Sequence, residues 1–198
     1  MRITLLITLI AVFSGCSDDP RPVFGSGVWR FHNASGFDRS CGVDERDRSV
    51  TGEHGDEGPS GGTLVVRCRA TTLSNGDLSF NLTLEDPAAG DMIDLRALRI
   101  PSVYLSETSP FNAVPSGCES VYFEVGGARY QAVCTTGEPQ PGDCRLEGAT
   151  LDESASSISL DLSCHGVPTL GGGGSTCEVS GPGTTAIATV SFDGCTGF

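Results

Sequence analysis

Nine cysteines, three histidines and a surplus of acids are the residues here that could do chemistry. No Cys-x-x-Cys pair occurs among the cysteines, so they point to disulfides rather than to a thiolate metal centre, whose ligands come at short paired spacings. His32, His54 and His165 are scattered, and no Gly-x-Ser-x-Gly turn accompanies them. Ser26 in Gly25-Ser26-Gly27 and Ser60 in Pro59-Ser60-Gly61 do not match that nucleophile elbow. All three histidines are therefore expected to be solvated, and no catalytic residue is assigned. The densest acids, Asp44, Glu45, Asp47, Glu53, Asp56 and Glu57, offer hard oxygens that could suit calcium. Their order does not follow the EF-hand loop, and Arg46 and Arg48 interrupt it. A solvated acidic loop is expected, with no metal and no cofactor.

An odd cysteine in an exported protein needs an explanation. Met1-Arg2 opens the chain, and Ile3 to Phe13 is an apolar stretch too short for a membrane span, which needs about 20 residues. Phe13-Ser14-Gly15-Cys16 follows. This segment resembles the lipobox of bacterial lipoproteins, with Phe13 where that motif usually carries Leu. The resemblance covers residues 1–16. It implies a signal peptide over 1–15 and acylation of Cys16, each buried methylene contributing about 0.8 kcal/mol to anchoring. Ser17, rather than Asp, resembles the sorting pattern of Gram-negative outer-membrane lipoproteins. Residues 16–26, with Asp18, Asp19, Pro20 and Pro22, read as a tether. A folded domain is expected over 27–198. The competing reading, an ordinary leader whose cysteine joins the disulfides, leaves an odd number in the body.

Composition narrows the partners. The formal charge is −13, and all twelve basic residues are arginine. Nucleic acid is excluded as a partner, since no basic stripe exists to displace phosphate counterions. Abundant Gly, Ser, Thr and Val favour strands joined by tight turns.

The elements that must position these residues are mostly hairpins. Leu64–Arg69 and Leu78–Glu85 alternate with period two around Ser74-Asn75-Gly76-Asp77, a strong hairpin signal. Further hairpins are expected over Ser120–Val133 around Gly126-Gly127 and over Cys144–Ser163 around Glu153–Ser156. A fourth is expected between Cys177 and Cys195, turning near Gly181-Pro182-Gly183. Val28–Phe31 reads as an opening strand with Trp29 and Phe31 on one face. Asp91–Ile100 reads as a bulged strand, with a helical turn as the alternative. Ser35–Gly62 reads as a long polar excursion.

Cross-strand cysteines can meet the short Cα separation of a disulfide. The hairpin symmetry favours Cys144–Cys164 first and Cys118–Cys134 second, leaving Cys177–Cys195 and Cys41–Cys68. A rival joins neighbours across loops, Cys134–Cys144 and Cys164–Cys177. The fold expected is an all-β, antiparallel β-sandwich with four disulfides, a jelly roll being one ordering that fits. The body also resembles cysteine-rich lipoproteins of Gram-negative bacteria, a likeness that transfers no function. The expected role is a membrane-anchored envelope or surface lipoprotein, not an enzyme. It would bind a glycan or protein at the cell surface, or serve as structure. The alternative is an extracellular hydrolase using carboxylates or a loop-bound calcium ion. A binding module calls for an open groove bearing Trp29, Tyr104, Tyr122 or Tyr130. A hydrolase calls for two acids, or an acid and a histidine, in one cleft.

Overall fold

The computed structural model describes residues 22–33, 41–170, 176–183 and 187–198. The signal peptide and Cys16 lie outside the described residues. Twelve strands account for most of the rest. They are β1 (Phe24–Asn33), β2 (Asp47–Glu53), β3 (Val65–Thr72), β4 (Leu78–Asp86), β5 (Asp91–Ile100) and β6 (Phe111–Ala113). Then come β7 (Ser120–Val125), β8 (Ala128–Thr135), β9 (Asp143–Asp152), β10 (Ser157–Pro168), β11 (Thr176–Ser180) and β12 (Ala188–Asp193). One 3₁₀ turn, Ser102–Ser106, interrupts them. The domain starts earlier than residue 27, because Phe24, Gly25 and Ser26 already pair with both β2 and β12.

The hairpins with clear alternation form as expected. β3 pairs with β4 from Val65↔Glu85 to Thr72↔Leu78, closed by a turn in which Asp77 is held by the Ser102 and Asn75 donors. β7 pairs with β8 around Gly126-Gly127, and β9 with β10 around Glu153–Ser156. β5 is a strand with a bulge: its register shifts opposite Phe80 to Leu82, and Ala97 adopts φ 49° while its N–H donates to Asn81 Oδ1. The phase slip between Leu95 and Leu98 is the trace of that extra residue.

Three expectations change. The sheet is mixed rather than wholly antiparallel, because β8 runs parallel to β9 over Val133↔Asp143, Cys134↔Cys144 and Thr135↔Arg145. A parallel pair normally needs a long crossover. Here the overlap is so short that the chain need return only about 10 Å, which the Pro139–Gly142 loop accomplishes. The polar excursion over 35–62 contains a strand, β2, whose Arg48 and Val50 point inward while it pairs along β1. Its charges hid that alternation.

The third change is larger. β11 and β12 do not pair with each other. Both run antiparallel to β1 and to β10, β11 against Arg30–Asn33 and β12 against Phe24–Val28. They are two pieces of one strand position, interrupted by an outward excursion at Gly181-Pro182-Gly183. The glycine–proline signal marks that excursion and not a chain reversal. Cys177 lies opposite Asn33, and Cys195 lies just past the partner of Phe24. The two are roughly 30 Å apart along β1, at about 3.3 Å per residue, so the expected Cys177–Cys195 bridge is geometrically closed off. The structure instead joins Cys41 to Cys177 and Cys68 to Cys195. The second of these is set by the chain end, where Thr196 runs alongside β3 through Thr196 N–H to Cys68 O and Ala70 N–H to Thr196 O. The expected Cys41–Cys68 bridge fails with it. Cys118 pairs with Cys134, and Cys144 with Cys164.

The core lies where β1 and β2 pass over β3 and β4. Trp29 and Phe31 are fully buried from β1, and Phe31 meets Phe123 edge-on at 5.4 Å and Tyr130 at the same distance. Tyr130 Oη donates to Cys41 O at 3.0 Å, which satisfies the only polar atom of that buried ring. Gly25 and Gly27 also face inward. A Cβ on Gly25 would stand 2.7 Å from Val66 Cγ1 and 2.9 Å from Leu84 Cδ1, so side chains of β3 and β4 rest directly on the β1 backbone.

One buried ion pair crosses the core. Arg48, in register with Trp29, lies 3.6 Å from Asp91, itself in register with Asp86. All three are nearly inaccessible. Trp29 Nε1, Arg48 Nε, Asp86 Oδ2 and Asp91 Oδ1 make no hydrogen bond among the described residues. Breaking such a pair from one side leaves a buried charge and costs about 3–5 kcal/mol, whereas replacing both members with apolar residues is often neutral or better. Arg48→Met alone should lower unfolding stability by about that much, and Arg48→Met with Asp91→Leu should recover most of it, as read by urea denaturation.

Burial holds the Asp91 carboxyl above its ordinary value, against the pull of Arg48. A raised folded-state pKa means that folding takes up a proton. The contribution of Asp91 to stability therefore grows as pH falls from neutrality through that raised value, and is complete below the unfolded value of about 3.9. Subtracting the pH–stability curve of Asp91→Asn from that of the native protein should leave this rise, and a flat difference would contradict it.

Candidate functional site

Two groups of polar side chains are positioned by the sheet. The first covers the outer face of β3, β4, β5, β7 and β8. Register places Arg67, Thr83, Asp94, Tyr122 and Gln131 as successive Cα partners across those strands. Successive residues of a strand alternate faces, so this one row stands on the solvent side while Val66, Leu84, Ile93 and Phe123 fill the core. Thr83 Oγ1 donates to Asp94 Oδ1 at 3.0 Å, and Arg96 Nε donates to Asp94 Oδ2 at 2.9 Å. The Arg96 guanidinium lies 4.5 Å from the Tyr122 ring centroid, within cation–π range. Hydrogen bonding to Asp94 keeps Arg96 charged more firmly than usual. Beside this row, Arg129 Nε donates to Glu124 Oε2 at 2.6 Å.

Arg67, Thr83, Glu85, Asp94, Arg96, Tyr122 and Arg129 border an open groove of about 340 Å³, with Met92 and Leu170 as its apolar flanks. Leu170 is placed by its N–H, which donates to Arg129 O at 2.7 Å, adding a short wall beside β8. Of the aromatics expected to mark a groove, Tyr122 is in it. Trp29 and Tyr130 are core residues, and Tyr104 sits half-buried within the 3₁₀ turn.

The second group joins two of the three histidines. His32 on β1 is in register with Glu178 on β11. On β10 the register shifts between Cys164 and Val167, and Gly166 takes φ 58°, a bulge that turns His165 toward the same carboxylate. His165 Nδ1 lies 3.0 Å from Glu178 Oε1, and His32 Nδ1 lies 3.5 Å from Glu178 Oε2. A cleft of about 230 Å³ adjoins them, bordered also by Ser163 and Ser180. Both hydroxyls have other partners, Ser163 donating to Glu147 at 3.2 Å and Ser180 to Gly181 O at 3.3 Å.

The expectation of three solvated histidines is thus corrected for His32 and His165, which are partly buried and share a carboxylate. His54 is exposed, with its Nδ1 accepting from Val66 N–H at 3.3 Å. The sequence carried no signal for the cluster, since 146 positions separate His32 from Glu178 and a bulge decides where His165 points. The acidic loop does not converge. Glu45 accepts from Asn33 N–H, Asp47 meets Arg30 and Gly183 N–H, and Asp56 accepts from Glu53 N–H. These three acids each pin a different partner.

No protein-family model matches this chain, and no curated protein or solved structure is significantly similar to it. The class defined by its own geometry is a disulfide-stapled, nearly all-β domain with a polar groove on one outer face.

A carboxylate at Nδ1 fixes the imidazole tautomer and leaves Nε2 as the basic nitrogen. Nitrogen-15 NMR of neutral His32 and His165 should show the proton on Nδ1 in the native protein. Glu178→Ala should move both toward the Nε2–H form that free histidine prefers, while leaving His54 unchanged.

Proposed function

We propose that this protein is an envelope lipoprotein held in the outer membrane through acylated Cys16, and that its β domain is a non-catalytic binding module whose ligand occupies the groove over β3–β8. One observation carries the anchoring. The eight cysteines of the folded body are used up by one another in four disulfides, so the ninth has no cysteine in the chain left to pair with. That is the pattern expected when Cys16 is reserved for lipid. Disulfides at this density also favour an oxidising compartment. The two facing parts of the sheet, β1–β2 over β3–β4, support reading the domain as a β-sandwich, with a jelly roll as its finer ordering.

The groove supports binding over chemistry because Arg96 and Arg129 are each held by a carboxylate and the lining is set largely on strands, where a recognition surface is most rigid. A second reading, an extracellular hydrolase, draws on the His165–Glu178 pair. Against it, the two hydroxyls nearest that pair are committed to Glu147 and to the Gly181 carbonyl.

Mass spectrometry of the N-terminal peptide from detergent-extracted protein should find Cys16 carrying acyl chains. Cys16→Ser should release the domain into the soluble fraction with its thermal stability unchanged. An unmodified Cys16 in the membrane-fraction protein would sink the anchoring.

A further inference from the structure

We propose that the groove over β3–β8 takes a neutral polysaccharide, lying across the strands along the row that Arg67, Thr83, Asp94 and Tyr122 form. This inference rests on the binding-module reading above and names the ligand class for that face.

The charge pattern excludes the other polymers. Asp94 is neutralised by Arg96 at 2.9 Å, and Glu124 by Arg129 at 2.6 Å. The two charged groove residues left without an ion pair among the described residues, Arg67 and Glu85, are of opposite sign. A polyanion binds by exchanging condensed counterions for a surplus of cations. No surplus exists here, and the whole chain stands at −13. A polycation would gain from the chain's net charge but meets three arginines along the groove. An apolar partner would have to desolvate at least five charged side chains, each at a cost that a hydrocarbon cannot return.

Sugar hydroxyls fit what remains. Each hydroxyl is donor and acceptor at once. A surface that mixes guanidinium donors with carboxylate acceptors therefore offers partners in both senses. Adjacent hydroxyls can engage the two N–H groups of one guanidinium fork or the two oxygens of one carboxylate. Apart from Thr83, the rest of the lining offers apolar surface: the Tyr122 ring, Met92 and the exposed Leu170 suit the C–H faces of pyranose rings. Strands are about 4.8 Å apart, near the length of one sugar ring, so the row sets successive rings on successive strands. Preorganisation adds to affinity, because Arg96 is already fixed between Asp94 and Tyr122 and loses little freedom on binding.

Affinity electrophoresis of the disulfide-bonded domain tests this in gels cast with dextran, mannan, laminarin or xylan, beside alginate, hyaluronan and duplex DNA. At least one neutral polymer should retard the native protein. Tyr122→Ala and Arg67→Ala should each weaken that retardation by at least tenfold, with the melting temperature unchanged. Thr189→Ala, on the exposed face of β12 and outside the groove, should not alter it. Retardation by alginate or hyaluronan alone, abolished by Arg67→Ala, overturns the neutral-sugar assignment and leaves the binding face standing. Retardation by a neutral polymer that survives both groove variants overturns the assignment of this face. No retardation by any polymer overturns the sugar class.

Discussion

β1 is the strand on which the rest of this fold depends. One edge is covered by β2 and the other by β12 and β11 in succession, so its backbone groups are satisfied from both sides. Its inner face carries Gly25, Gly27, Trp29 and Phe31, and that face decides how closely β3 and β4 can approach. Two glycines bring the layers together at one end. Two large aromatics fill the other end, where Phe31 packs against Phe123 and Tyr130. Its C-terminal partners come from residues 176–193, so the sheet cannot complete until nearly the whole chain is present, a non-local topology of the kind that folds slowly.

How much of this was legible depended on sequence distance. β3–β4, β7–β8 and β9–β10 announced themselves because period-two alternation and turn residues occupy one short window. The two disulfides inside or beside those hairpins, Cys118–Cys134 and Cys144–Cys164, were legible for the same reason. β2 was not, since charged Asp47 and Arg48 masked a strand whose inward arginine meets a carboxylate rather than a side chain of the apolar core. The Gly181-Pro182-Gly183 signal predicts a reversal only because local chemistry reports a bend and says nothing of direction. The expected Cys177–Cys195 and Cys41–Cys68 bridges rest on that reversal, whereas the actual Cys41–Cys177 and Cys68–Cys195 depend on where β11 and β12 lie beside β1.

The groove was half legible. The alternation of β3 and β4 already put Arg67, Thr83 and Glu85 on one face. That Asp94 and Tyr122 continue the same row required the registers of β5 and β7, including the bulge at Ala97 that leaves Arg96 beside Tyr122. Both the inner Arg48–Asp91 contact and the outer Arg96–Asp94 contact pair an arginine with an aspartate of β5. Burial separates their roles. Inside, the pair costs desolvation and constrains packing; outside, it keeps its hydration and offers a structured polar surface.

The disulfide connectivity has a consequence for the order of assembly. In a chain threaded N-terminus first into an oxidising compartment, as the export proposed above requires, Cys41 and Cys68 emerge as neighbours long before their partners. An oxidase working on cysteines in order of arrival would join them to each other. Cys177 and Cys195 would then arrive as a leftover pair that the finished sheet holds far apart. On that export route, the native pairing requires oxidation delayed until Cys177 and Cys195 have arrived, or later exchange of a Cys41–Cys68 bridge.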